Sequence, residues 1–380
     1  MRRLLAVGLM ALCAGACTAD ELETTVPDLK WGALPDLPVP VSGAFAGISG
    51  GQLIVAGGAH FPTPLFDGGT KEWVDTIYTL KPGDAEWTAE GTLPRPTAYG
   101  ATVQRGDWVY CVGGGDAERH YADVVTVGWL DQCESRPGRR PGELIMVLMA
   151  EPRFAVWPDL QPPLPTTCAF TSAALIDRTV YVAGGQETPT STEAMANFWS
   201  VNVLTANREW QILDPWPGPA RILPVAASCG GSFYLFSGCE LYPDDEGKAA
   251  RRYLSDAYRY TPGEGWEKLA DMPRPAVAAP TPAPVIDGRY ILLLGGDDGA
   301  NAGRTWELKD KHPGFPRDIL AYDTVADAWL TMGELPKSLV TTPTIPMPYG
   351  FIIPGGEDRP GHRSPAILRA KPIAQREDGG

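Results

Sequence analysis

Six times along the chain, a run of four apolar residues ends on a pair of small residues. The runs are LIVAGG (53–58), VYCVGG (109–114), VYVAGG (180–185), FYLFSG (233–238), ILLLGG (291–296) and FIIPGG (351–356). A short, continuous apolar run closed by glycine predicts a strand buried on both faces. A small-residue strand precedes it, as in GAFAGIS (43–49) and YGATVQ (99–104), and a Tyr-bearing strand follows, as in TIYTL (76–80), DAYRY (256–260) and ILAYD (319–323). Last in each unit comes a Trp shortly before a Leu-Pro-like turn: Trp31, Trp87, Trp157, Trp210, Trp266 and Trp329, spaced 53 to 70 residues apart. Each unit therefore predicts four short strands.

A lone four-stranded sheet cannot bury both faces, whereas several stacked around an axis can, leaving only short, protected edges. The repeat resembles the Kelch motif, and six copies imply an all-β, six-bladed propeller over residues 28–370. The last glycine-pair unit (350–370) has no Trp strand, and Trp31 precedes every glycine-pair unit. The N-terminal strand is therefore expected to complete the sixth blade and close the ring.

Composition agrees with many short strands and turns. The 380 residues include 43 Gly and 38 Pro, yet 44% are hydrophobic and 12 are Trp, enough for a packed core. The net charge of −14 argues against a nucleic-acid partner, which needs a basic face. The first seventeen residues, MRRLLAVGLMALCAGAC, read as an export signal: two arginines, an apolar stretch, then small residues. The end of this segment resembles a lipobox with Cys17 as the lipidated residue. The same residues also suit ordinary cleavage after Ala16. The expected location is the periplasm or, through that lipid anchor alone, the outer membrane. Residues 18–27 then form a linker and 371–380 a tail. Cys111, Cys133, Cys168, Cys229 and Cys239 remain, an odd number that points to buried thiols rather than a disulfide framework. The Gly230-Gly231 turn should set Cys229 close to Ser232.

Antiparallel order puts the loops after the glycine pairs on the same face as the loops between blades. The first kind begins with His60, Asp116, Glu187, Glu240, Asp297 or Glu357, and the second carries Arg95, Arg221, Arg274 and Lys337. The insertions 59–74, 187–197, 240–254 and 297–316 lie on this face too, where sites are usually built. Arg95, Arg221, Arg317, His60 and Asp297 are the expected substrate contacts. HPGFPRDIL (312–320), with His312 and Arg317, occupies the blade-five loop that corresponds to the Glu357 loop, where it either lines the pocket or serves as a structural Pro-Gly-Phe-Pro turn. Glu357 and Arg363 stand apart because their loop is short and locked by Pro360-Gly361, and a reactive pair needs such rigidity. No metal or other cofactor is implied: His60, His120, His312 and His362 fall on separate loops, and no Cys-x-x-Cys occurs.

The segments GAFAGISGGQLIVAGGAHFP (43–62), GGTKEWVDTIYTL (68–80) and RPTAYGATV (95–103) are similar to the C-terminal part of the bacterial N-acetylneuraminate epimerases, or sialic acid mutarotases. GGEDRPGHR (355–363) resembles a segment that lies inside the chain in that family. The order is circularly shifted, as in the branch called cyclically permuted mutarotases; a ring tolerates this because its ends meet. The resemblance implies a small-molecule sugar substrate, with Glu357 as proton acceptor and Arg363 as functional partner. Mutarotation opens a cyclic hemiketal and recloses it on the other face. One group takes the proton of the anomeric hydroxyl while water or a second residue protonates the ring oxygen. Arg363 would keep Glu357 ionised or hold a sugar-acid carboxylate. The competing reading is a non-catalytic carbohydrate- or protein-binding propeller of the envelope, since the fold serves both purposes.

Overall fold

Each repeat folds as its pattern predicts. In a computed structural model, which describes residues 27–130, 133–137, 144–148, 153–206 and 208–373, six four-stranded antiparallel sheets surround one axis. The first blade runs Phe45–Ser49, Gln52–Ala56, Thr76–Leu80 and Thr88–Thr92 from the axis outward. The first strands of neighbouring blades pack against one another and so line the axis. The sixth blade joins Ile345–Met347, Gly350–Pro354 and Ile367–Pro372 to the N-terminal strand Leu29–Leu34. Trp31 lies opposite Ala370 in that closing pair. The propeller thus ends at Pro372, two residues beyond the expected boundary. The export signal, Cys17 and the linker up to residue 26 lie outside the described residues, as does the tail from 374.

The glycine pairs exist because blades approach closely behind them. At Gly113 (φ +62) an added Cβ would sit 2.4 Å from the Cys168 carbonyl oxygen, and at Gly184 (φ +69) 2.6 Å from that of Arg221. Only glycine meets both the left-handed backbone and the contact. The recurring Trp has an equally local reason. The Nε1–H of Trp87, Trp210, Trp266 and Trp329 donates to Pro35, Pro162, Asp214 and Ala270 respectively, at 2.9–3.0 Å, each a carbonyl at the end of the preceding blade's outer strand. The indole covers the interblade core while its single donor fastens the neighbour. Between blades one and two, for example, Phe45, Ile54 and Ile77 pack on Val109, Cys111 and Val127, all buried.

Cys111, Cys168, Cys229 and Cys239 are buried free thiols, and Cys229 pairs with Ser232 across the Gly230-Gly231 turn. The side chain of Cys133 lies outside the described residues; its strand, Cys133–Pro137, pairs with Leu144–Leu148 as a separate hairpin beyond blade two.

Candidate active site

The floor of the site is a ring of backbone. Gly43, Tyr99, Phe170, Leu223, Ala278 and Thr341, one residue from each blade, all have left-handed φ values between 53° and 66°. The N–H of each donates to the carbonyl of its counterpart in the preceding blade. Tyr99 bonds Gly43, Phe170 bonds Tyr99, Leu223 bonds Phe170, Ala278 bonds Leu223, Thr341 bonds Ala278 and Gly43 bonds Thr341, at 2.7–3.0 Å. A left-handed conformation costs a non-glycine residue roughly 1–2 kcal/mol. Five residues accept it, because a right-handed turn would aim these groups away from the neighbouring blade. Beneath the ring is a space of about 40 Å³.

The residue before each ring member is tied to the residue after each glycine pair by an isolated two-way bridge. Ser42 meets Ala59, Ala98 meets Gly115, Ala169 meets Gln186, Ile222 meets Cys239, Val277 meets Asp297 and Val340 meets Glu357. Val340 and Glu357 exchange both backbone bonds at 2.9 Å, so the backbone that carries Glu357 is fixed directly beside the ring.

From there the chain forms the small hairpin Glu357–Arg359/His362–Arg363, turned by Pro360 and Gly361 (φ +79). Glu357 lies directly opposite Arg363, and a bulge at Asp358 sets that residue out of the alternation. The Asp358 carboxylate, nearly buried, takes the His362 Nδ1 at 2.7 Å and the Lys337 ammonium at 3.0 Å. Glu357 Oε1 accepts the Gly361 N–H and the Arg363 Nη1–H, both at 2.7 Å, while Oε2 accepts no hydrogen bond among the described residues. The Arg363 guanidinium is buried, stacks over Phe61 at 4.7 Å and reaches the Tyr99 hydroxyl with Nη2 at 3.3 Å. Burial opposes its charge, but Glu357 and Tyr99 outweigh burial and its pKa is raised. Arg363 therefore supplies a permanent positive charge beside the carboxylate. Its Nε is buried without a partner.

Two cavities open above the ring. One, of about 470 Å³, is bordered by Glu357, Asp297, His312, Tyr253 and Arg251 over the ring members Leu223, Ala278 and Thr341. The other, of about 360 Å³, is bordered by Lys71, Trp73, His120, Gln186 and again Arg251 over Tyr99 and Phe170, whose rings stack 5.0 Å apart. In the first, Tyr253 donates its hydroxyl to Asp297 Oδ2 at 2.8 Å. His312 accepts the Gly314 N–H at Nδ1, 3.1 Å away, so a neutral ring carries its proton on Nε2. Burial lowers its pKa against the opposing pull of Asp297. A larger cavity of about 1000 Å³, between blades five and six, is lined by the strand ends opposite the glycine pairs and includes none of these residues.

Of the expected substrate contacts, Asp297 borders the same cavity as Glu357, and the other four do not border either axial cavity. Arg221 is corrected outright. Its side chain has no exposed surface, and its two Nη groups grip Asp256 at 2.7 Å each. Arg274 holds Asp318 in the same way, and Arg95 pairs with Asp123 at 3.1 Å. Each of these linker arginines clamps the start of the next blade's third strand, a structural role. Arg317, half-exposed, bonds Glu334 at 2.5 Å away from the axis. His60 misses by parity: Ala59, not His60, is the first residue after its glycine pair, and successive strand residues face opposite ways. Glu187 and Glu240 are displaced by the same single step, with Gln186 and Cys239 holding the bridged position, whereas Asp116, one step past Gly115, still borders the second cavity. Sequence reasoning missed Tyr99, Arg251 and Tyr253. The position immediately after the glycine pair was the available signal for the axial set, and strict alternation along 249–253 was the signal for Arg251 and Tyr253.

Comparison with known proteins follows the same lines. A family model described as N-acetylneuraminate epimerase matches residues 14–133 and 157–302, more than half of the chain but short of the Glu357–Arg363 hairpin. An N-acetylneuraminate epimerase of Yersinia enterocolitica is 27% identical over 234 residues, 55% of this chain and 57% of the relative. One from Haemophilus influenzae is 35% identical over 107 residues, 24% of this chain and 28% of the relative. The chain thus spans just over half the length of the first relative and about a quarter of the second. A solved structure titled "Structure of YjhT" superposes with a TM-score of 0.61 at 14% identity, covering 89% of this chain and 97% of the other, a likeness of fold. By the extent of the family match, the chain belongs to the N-acetylneuraminate epimerase family.

Proposed function

We propose that the protein is an exported isomerase that interconverts the anomers of N-acetylneuraminate or a related sugar. The observation that carries this reading is the asymmetry of Glu357. Both of its hydrogen bonds fall on Oε1, and the carboxylate borders a cavity of about 470 Å³. Oε2 is thereby left as a proton acceptor on a group whose position is set by backbone on one side and by Arg363 on the other. In the forward direction Oε2 takes the proton of the anomeric hydroxyl as the ring C–O bond breaks and water delivers a proton to the ring oxygen, giving the open-chain ketone. Rotation and reclosure reverse these transfers on the other face. Arg363 fixes the rotamer of the carboxylate through its Nη1–H bond to Oε1.

Membership of the epimerase family supports the sugar class, and the relatives named N-acetylneuraminate epimerase support the particular sugar. The export signal and the Cys17 anchor are supported by the sequence alone.

The test is proton NMR of freshly dissolved crystalline N-acetylneuraminate in mildly acidic buffer, with the protein and with Glu357→Gln. The expected result is faster anomer exchange that falls by about 10²–10⁴-fold in the variant, the usual contribution of a positioned general base. An unchanged rate in the variant would remove Glu357 from this role. No acceleration by the parent protein would favour the non-catalytic binding propeller instead.

A further inference from the structure

We infer that Arg251 receives the carboxylate of an acidic sugar and thereby sets the substrate class; the inference rests on the reading of the Glu357 site given above. Arg363, for which this was one of two expected roles, is poorly placed for it: it borders neither axial cavity, and its Nη1 and Nη2 already bond Glu357 and Tyr99. The linker arginines are not free for it either, since Arg95, Arg221 and Arg274 each hold an aspartate.

Arg251 lies on the hairpin Cys239–Pro243/Ala249–Tyr253, which has two distinct faces. Cross-strand register sets Glu240 opposite Arg252, and Leu241 opposite Arg251. On the outer face Arg252 bonds Glu240 at 2.6 Å and lies over the Tyr242 ring. Alternation puts Arg251 and Tyr253 on the other face. There Tyr253 bonds Asp297, while the Arg251 guanidinium makes no ion pair or hydrogen bond among the described residues. Adjacent arginines thus differ: the outer one is neutralised, and the inner one borders both axial cavities without a carboxylate. Lys71 also lacks a carboxylate, but its ammonium lies over the Trp73 and Tyr99 rings and borders only the cavity away from Glu357.

An unpaired guanidinium over a rigid floor suits a planar carboxylate, which it meets with two parallel N–H···O bonds. In a 2-keto sugar acid that carboxylate is attached to the anomeric carbon. Holding it therefore fixes the reacting centre relative to Glu357, which shares the cavity. A neutral aldose offers no such handle.

The experiment compares the parent protein with Arg251→Gln and, as a control, Arg252→Gln. Binding of N-acetylneuraminate and of its neutral methyl ester is measured by calorimetry, and anomer exchange by NMR. The parent should favour the acid over the ester, and Arg251→Gln should lose that preference. Its affinity for the acid should fall roughly ten- to a hundredfold, as the loss of charged hydrogen bonds entails, with KM rising more than kcat falls. Arg252→Gln should behave as the parent. An unchanged acid-to-ester ratio in Arg251→Gln overturns the inference, whether or not anomers exchange. Acid binding that depends on Arg251 without anomer exchange upholds it and sinks the mutarotase reading. A parent protein that neither binds the acid nor exchanges its anomers overturns both.

Discussion

Arg363 stands directly across the hairpin from Glu357, its Nη1 2.7 Å from the Glu357 Oε1 and its Nη2 on the Tyr99 hydroxyl of blade two. One guanidinium therefore ties the Glu357 carboxylate to the ring floor. Lysine keeps the charge but not the planar fork. Arg363→Lys is expected to lower the rate of anomer exchange at least tenfold and stability by about 1.5–3 kcal/mol, the scale of hydrogen bonds to charged groups. Equal rates for the two proteins would show that charge alone suffices.

Gly361 acts on the same carboxylate from the turn. At its φ of +79° a Cβ would come within 2.6 Å of Leu65 in the blade-one insertion, and its N–H holds Glu357 Oε1. Gly361→Ala should strain the turn by about 1–2 kcal/mol and release Oε1. The expected outcome is a clear fall in kcat with an unchanged circular-dichroism spectrum. A variant as active as the parent would show that the turn does not position the base.

Arg221 provides the opposite pattern. Replacing it with Met leaves Asp256, largely buried, without its bidentate partner. Breaking a buried pair from one side typically costs about 3–5 kcal/mol. Arg221→Met should therefore lower the thermal midpoint by several degrees while KM for the sugar is preserved. A raised KM at unchanged stability would restore Arg221 as a substrate contact.

His312 supplies a pH signature. Burial depresses its folded pKa below the ordinary 6.5. Above pH 6.5 both folded and unfolded states hold it neutral, so it contributes no pH dependence there. As the pH falls from 6.5 toward the folded pKa, the unfolded state binds more protons and stability is lost. An NMR titration of the ring should give a midpoint below 6.5, and His312→Gln should remove that part of the acid loss. A midpoint at or above 6.5 would contradict the burial.

The ring of blades was readable because its signals are local. Glycine pairs mark places where a Cβ will not fit, and four of the six repeat Trp residues fasten the neighbouring blade with their single donor. The site was readable only in part. Glu357 and Arg363 sit six residues apart on one turn and could be paired from sequence. Arg221 and Asp256 are 35 residues apart, and nothing in either neighbourhood says that they meet. The positive φ of Tyr99, Phe170, Leu223, Ala278 and Thr341 has no local mark either, because each is imposed by a carbonyl of another blade; only Gly43 shows the usual one. His60 was misplaced by one residue, which in extended chain is enough to reverse the side chain.

The six bonded backbones around the axis also determine traffic. The space below them, about 40 Å³, holds a water molecule or so and no sugar. The ring therefore narrows the axis to less than a sugar's width between the Glu357 side and the space beneath. On the function proposed above, both anomers would enter and leave on the side of the ring that carries Glu357 and the insertions.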